Sequence, residues 1–162
     1  MFFVVFFIQA SSNYATLKRV FLPASDIPSF VGKGNVDLGI TGHDVILEAQ
    51  MENLVTEELR LGFGKCSLQV QVPEAPGLIT TVEDLAGKRI VTSFEVLAGQ
   101  FFDRLDGKLG LSGDKKTQIE YVGGSVEAAC ALGLADGIGA FADYFFVFLS
   151  SSDCTSITQL IL

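Results

Sequence analysis

Residues 121–138 read YVGGSVEAACALGLADGI. A β-favouring run at 117–122 meets Gly123 and Gly124, then Ser125, and then a segment at 126–132 whose Ala, Leu and Glu content favours helix. The pattern is strand, tight turn, helix. Ser125 suits the N-cap, because its side-chain oxygen can accept a bond from an early helical N–H, and Glu127 falls in the first turn, on the favoured side of the helix dipole. The remaining free N–H groups, brought near solvent by the two glycines, form a potential site for a phosphate or carboxylate. On spacing alone, a capped helix after a glycine turn accounts for the same residues without any ligand.

Working outward, the same arrangement occurs upstream. Residues 36–40 form a strand, Thr41 and Gly42 its exit turn, and a helix begins near His43 and Asp44. A ligand here would meet backbone N–H groups at the carboxyl end of a parallel strand, where open α/β sheets bind ligands. Taken by themselves, Asp44 is a first-turn helical acid and His43 a solvated turn residue.

The other elements follow from pattern. Residues 2–8 are apolar without alternation, which predicts a parallel strand covered on both faces. A second strand spans 17–22, and after Pro23 a short helix starts with Ser25 as cap and Pro28 in its first turn, ending at Gly32 and Gly34. Residues 54–59 read as a strand, and 66–72 alternate at period two, marking a half-buried one. The stretch 73–77, with Pro73, Pro76 and Gly77, looks like the crossing between lobes. Thr81 and Asp84 form a capping-box variant, 88–92 is a strand, and Ser93 caps the longest helix. Leu97, Phe101, Leu105 and Leu109 make its apolar stripe, and Asp103, Arg104, Asp106 and Lys108 its solvated face.

Composition narrows the function classes. The chain has 162 residues, 49% of them apolar and 14 of them Phe, enough to bury a core as one domain or two lobes and too apolar for disorder. A net charge of −8 repels polyphosphate, so nucleic acid is an unsuitable partner and a phosphate ligand needs local N–H groups, a few cations or Mg²⁺. Three irregularly spaced cysteines make neither a metal pattern nor an even disulfide set, which fits a reducing compartment, and the single His43 rules out a multi-histidine metal site. The opening MFFVVFFIQA has no positive n-region or cleavage site and is too short to span a bilayer, so the expectation is a cytoplasmic protein without a membrane partner. There is no Ser/His/Asp or Cys/His constellation, and Cys130 reads as a small buried hydrophobe.

GGSVEAACALGLADGI closely resembles the GSVE…LGLADAI segment of the ATP phosphoribosyltransferases, which open histidine biosynthesis, and VDLGITGHDVILE at 36–48 resembles their DLGITG-x-D motif. FLPASDIPSFVGKG, CSLQVQVP and GKRIVTSF are similar to the family too, above all in its fungal form, so that the likeness covers about residues 21–138. The resemblance implies an α/β fold of two lobes, mostly parallel strand–helix units of the type II periplasmic-binding-protein kind, with lobes at 1–72 and 81–162 and a cleft between them. It implies transfer of phosphoribosyl from phosphoribosyl pyrophosphate to N1 of the ATP adenine, with Mg²⁺ bridging pyrophosphate oxygens, in an enzyme that is a homo-oligomer when intact. Carried onto this sequence, Gly124, Ser125 and Val126 supply backbone donors to phosphate or ribose, Glu127 holds a ribose hydroxyl or Mg²⁺-bound water, Thr41, Gly42 and Asp44 line the opposite wall, and Asp136 orients a neighbouring loop or touches ligand.

The ends depart from the family. Where its first strand enters a Lys-Gly-Arg loop, this chain has Ala10, Ser11, Ser12 and Asn13; Ala140 stands at the family's second Asp, and no Ser-Gly-Thr-Thr phosphate loop follows. Residues 150–153 are hydroxyl-rich without a glycine and read as a loop. These departures predict a truncated or mis-spliced reading frame with impaired activity. Two rival readings stand beside it: a non-catalytic two-lobed binder of a small anion, and an inert product exposing residues 145–149.

Overall fold

In the computed structural model the described residues are 2–11, 14–64, 66–73, 79–124, 126–143 and 154–156. They fall into two compact units, Met1–Gly62 and Phe63–Leu162.

In the first unit β1 (Phe2–Ser11) and β2 (Tyr14–Pro23) pair antiparallel, in register from Phe2 against Pro23 to Ser11 against Tyr14. The expected parallel strand at 2–8 is therefore one arm of a hairpin. Only residues 12 and 13 separate the two strands, and a parallel pairing needs a crossover of a dozen residues or more. On the other side of β1 lies β3 (Leu38–Gly39), also antiparallel, with Val5 opposite Gly39.

After a 3₁₀ turn at Ala24–Asp26, α1 (Ile27–Gly32) begins with Pro28 in its first turn, as expected. Ser25 does not cap it; its hydroxyl lies 3.4 Å from Asp26 Oδ1. Ile27 and Val36 are buried and, with Leu22 and Val31, form a small apolar cluster among the described residues of this unit. The closeness of α1 to β3 depends on Gly39. A Cβ there would stand 2.7 Å from Ile27 Cγ2 and 2.9 Å from Val31 Cγ2, both on stiff β-branched side chains. Gly39→Ala is therefore expected to cost about 1–3 kcal/mol by overpacking. Thermal unfolding of the variant checks this, and an unchanged midpoint would mean that α1 shifts freely. The strand expected at 54–59 is absent: the chain there is irregular, with Leu54 and Leu59 exposed and Arg60 paired locally to Glu57.

The second unit is built on a five-stranded sheet in the order β6-β5-β7-β4-β8. Here β5 (Arg89–Thr92) is parallel to both β6 (Gln118–Tyr121) and β7 (Gly137–Asp143), whereas β4 (Cys66–Pro73) is antiparallel to β7 and to β8 (Cys154–Ser156). The sheet is thus mixed, and its parallel strand–helix units run from β5 to β7. The alternating strand assigned from sequence to the first lobe sits inside this sheet, because β7 rather than β1 is its partner.

Two helices cover the sheet. The longer, α3 (Glu95–Leu109), brings Phe102 and Leu105 onto Val70, Val72, Leu85 and Ile90; the shorter, α4 (Val126–Ala131), brings Val126 onto Val91 and Ile138. Ile90 and Val91 are adjacent on β5, so the two clusters occupy opposite faces. Helix α3 starts one residue later than expected. Its N-cap is Phe94, whose N–H donates to the buried Thr92 Oγ1 at 3.0 Å, and Ser93 plays no capping part.

The buried face of α3 also differs from the expected stripe. Ala98, Phe102 and Asp106 are buried with Leu97 and Leu105, whereas Leu109 is half exposed. Asp106, assigned from sequence to the solvated face, is 1% exposed and accepts from Thr117 N at 2.7 Å and from Thr117 Oγ1 at 2.8 Å. That hydroxyl in turn accepts from Gly87 N at 2.9 Å. Gly87 holds a left-handed φ of +76°, and a Cβ on it would stand 2.9 Å from Lys115 O.

The capping box is present as expected: Asp84 accepts from the backbone N–H groups of Thr80 and Thr81, which hold its carboxyl below the usual range. Among the described residues no helix is long and apolar enough to cross a membrane. Residues 145–149 and 150–153 lie outside the described residues.

Candidate functional site

The glycine turn at 123–124 stands at the carboxyl end of β6, where Tyr121 is level with Thr92, the last residue of β5. Val122 N–H donates to Thr92 O at 3.0 Å, so the pairing continues to the edge of the turn. Thr92 itself is fully buried and donates its hydroxyl to Gly139 O at 2.9 Å, tying the carboxyl end of β5 to β7. Sequence reading missed Thr92; its signal was a hydroxyl ending an otherwise apolar strand.

Gly123 and Gly124 are exposed, and a Cβ at Gly124 would meet nothing within 4 Å. Val126 is buried and anchors α4, so what it offers a ligand is its backbone N–H. Ser125 lies outside the described residues. The backbone of Glu127 is in the first turn of α4; its side chain, like that of Cys130, lies outside them.

In the first unit Thr41, Gly42 and Asp44 come together at the start of α2 (His43–Glu48), with Gly42 at the N-cap and Asp44 in the first turn. The carboxylate of Asp44 folds back over Gly42 so closely that a Cβ on Gly42 would overlap Asp44 Oδ1. The φ of Gly42, −75°, is open to any residue, so a side chain there would have to displace only the Asp44 carboxylate. Thr41 Oγ1 is buried without a hydrogen-bond partner among the described residues, an arrangement that costs stability unless something supplies one. His43 is exposed, as expected of a turn residue. The strand before this turn is not parallel to its neighbour: β3 runs antiparallel to β1, because the hairpin fixes the direction of β1.

Asp136 is placed elsewhere. Its Oδ2 accepts from Arg89 N at 3.0 Å, its N–H donates to Arg89 O at 2.9 Å, and the Arg89 guanidinium stands 3.6 Å away. Arg89 begins β5, so Asp136 lies at the opposite end of the parallel strands from Gly124. Its carboxylate pins β7 to β5. Ala140 lies on β7 opposite Gln69 of β4.

A family model described as ATP phosphoribosyltransferase matches residues 23–141, a span that contains both turns. The chain belongs to that family. It is 55% identical over 127 residues to the ATP phosphoribosyltransferase of Schizosaccharomyces pombe, covering 74% of this chain and 41% of the relative. To that of Yarrowia lipolytica it is 56% identical over 129 residues, covering 80% of this chain and 42% of the relative. The chain thus spans about two fifths of the length of these curated relatives.

Among solved structures, the ATP phosphoribosyl transferase (HisG:HisZ) complex from Thermotoga maritima superposes with a TM-score of 0.68 at 22% identity, over 96% of this chain and 71% of that one. The periplasmic aliphatic sulphonate binding protein SsuA from Escherichia coli gives 0.53 at 19% identity, over 83% and 46%. At such identities these likenesses establish the fold, and they bear out the expected α/β, periplasmic-binding-protein-like class.

Among the described residues no three His, Cys, Asp or Glu side chains converge as metal ligands.

Proposed function

We propose that this chain serves phosphoribosyl transfer from phosphoribosyl pyrophosphate to N1 of the ATP adenine, the first step of histidine biosynthesis, in a cytoplasmic homo-oligomer. The observation that carries the reading is the family match running unbroken through both glycine turns, with relatives above 50% identity.

In this reaction the adenine nitrogen forms a bond to the anomeric carbon as the bond from that carbon to the pyrophosphate oxygen breaks. Charge spreads onto the sugar and onto a departing polyanion, so the protein's work is to position two nucleotides and to neutralise charge. No nucleophilic side chain is needed. Gly124, Ser125 and Val126 supply backbone N–H donors, Glu127 takes a ribose hydroxyl, and Thr41, Gly42 and Asp44 are the ligand contacts that the second motif contributes. The unpartnered Thr41 hydroxyl fits that role. Mg²⁺ enters as part of the substrate, on the pyrophosphate. Asp136 acts at a distance, by holding β7.

Calorimetric titration with phosphoribosyl pyrophosphate and Mg²⁺, and separately with ATP, tests this. The chain should bind at least one of them, and Glu127→Gln should weaken that binding while leaving thermal stability nearly unchanged, because a first-turn helical acid contributes only ~0.3–1 kcal/mol through the dipole. Binding of neither substrate by the wild-type chain overturns the proposal. A large stability loss in Glu127→Gln with unchanged affinity makes Glu127 a structural residue.

A further inference from the structure

Tyr121 is the last residue of β6, and one residue, Val122, separates it from the glycine turn. By strand alternation it shares a face with Ile119, which packs against the core under α3, yet Tyr121 is 58% exposed. Its ring has passed beyond the cover that Ile119 enjoys. The phenol does not extend away from the protein. A Cβ on Gly123 would stand 3.8 Å from the Tyr121 hydroxyl, so the side chain leans along the chain and sets its polar end beside the turn.

A large aromatic side chain is thus left more than half open at a strand end, with its hydroxyl beside a glycine pair. Resting on the function proposed above, we infer that Tyr121 is a ligand-positioning residue whose hydroxyl donates a hydrogen bond to a phosphate oxygen of the substrate at the Gly123–Gly124 turn. Backbone N–H groups offer donors fixed in direction, whereas the phenol adds one that swings about its side-chain torsions.

The chain contains no Trp and three Tyr, so tyrosine emission reports on the site without masking by indole. Titrating the whole chain with phosphoribosyl pyrophosphate and Mg²⁺ should change that emission, and the change should be absent in Tyr121→Phe. By calorimetry the same variant should bind about tenfold more weakly, the loss of one hydrogen bond to a charged group at an open site, with an unchanged unfolding temperature. Tyr121→Ala should lose no more affinity than Tyr121→Phe. Wild-type affinity in Tyr121→Phe overturns the inference, whether or not Tyr121→Ala binds poorly; in the latter case the ring, and not the hydroxyl, meets the ligand. A lowered unfolding temperature in Tyr121→Phe also overturns it, by showing a structural bond. Failure of the wild-type chain to bind is a different result, and it removes the proposed function itself.

Discussion

Asp106→Ala is expected to destabilise the Phe63–Leu162 unit by about 2–4 kcal/mol, because the substitution strands buried partners instead of merely deleting a contact. The carboxylate is 1% exposed and accepts two bonds, from Thr117 N and Thr117 Oγ1, at 2.7 and 2.8 Å. With alanine at 106 the Thr117 N–H has no acceptor, and the hydroxyl that receives Gly87 N–H loses its own. Such a loss lowers the unfolding midpoint by on the order of 10–20 °C for a unit of this size.

A neighbour on the same helix provides the control. Asp103 is paired with Lys116 at 2.7 Å, but both side chains are about half exposed, so Asp103→Ala should leave the midpoint close to wild type. Thr117→Val combined with Asp106→Ala completes a double-mutant cycle, and the two changes should be strongly non-additive. An Asp106→Ala midpoint equal to that of Asp103→Ala would show that water reaches the site, and would sink the prediction.

The second large effect concerns turnover. Pyrophosphate release by this chain from ATP, phosphoribosyl pyrophosphate and Mg²⁺ is expected to fall roughly two to four powers of ten below that of the same chain rebuilt after Ile138 to the family pattern. The family's second Asp is replaced by Ala140, which the structure places on β7 opposite Gln69, a position with no charge to offer. No Ser-Gly-Thr-Thr run follows it. Each charge-assisted hydrogen bond contributes about 1.5–3 kcal/mol, so two missing phosphate contacts account for the size of the deficit. A net charge of −8 gives no general attraction that offsets them. The assay is run on both chains side by side. Equal rates would mean that residues present in the chain as it stands complete the phosphate site.

Local chemistry was legible in the sequence. The Thr81–Asp84 capping box, the stop of α1 at Gly32, the start of α2 at His43, the period-two strand Cys66–Pro73 and both glycine turns follow from residues a few positions apart, and the structure reproduces them. Direction of pairing was not. An apolar run such as FFVVFFI fits a parallel or an antiparallel neighbour equally well, and the hairpin was decided by the shortness of the link to β2. The assignment of β4 failed for the same reason, since its partner β7 lies far along the chain.

Asp106 was misplaced because aspartate is ordinarily solvated, although its i, i+4 spacing from Ala98 and Phe102 put it on the buried stripe. For the candidate site, the two motifs marked which turns to inspect. For Asp136 they left two roles open, orienting a loop or touching ligand, and gave no sign that its carboxylate is engaged by Arg89 at the far end of β5.

The sheet order has a consequence for the order of synthesis. β4 is the first strand of its sheet to leave the ribosome, yet neither of its neighbours, β7 and β8, exists until roughly 70 residues later. At ~5–20 residues per second that interval is about 4–14 s. Through it the Leu68, Val70 and Val72 side chains and both backbone edges of β4 have no sheet to join. The β5–α3–β6 unit, by contrast, closes on itself as soon as it is made. The nascent chain therefore carries an unpaired apolar strand ahead of a folded unit, and a holding chaperone would meet it at β4.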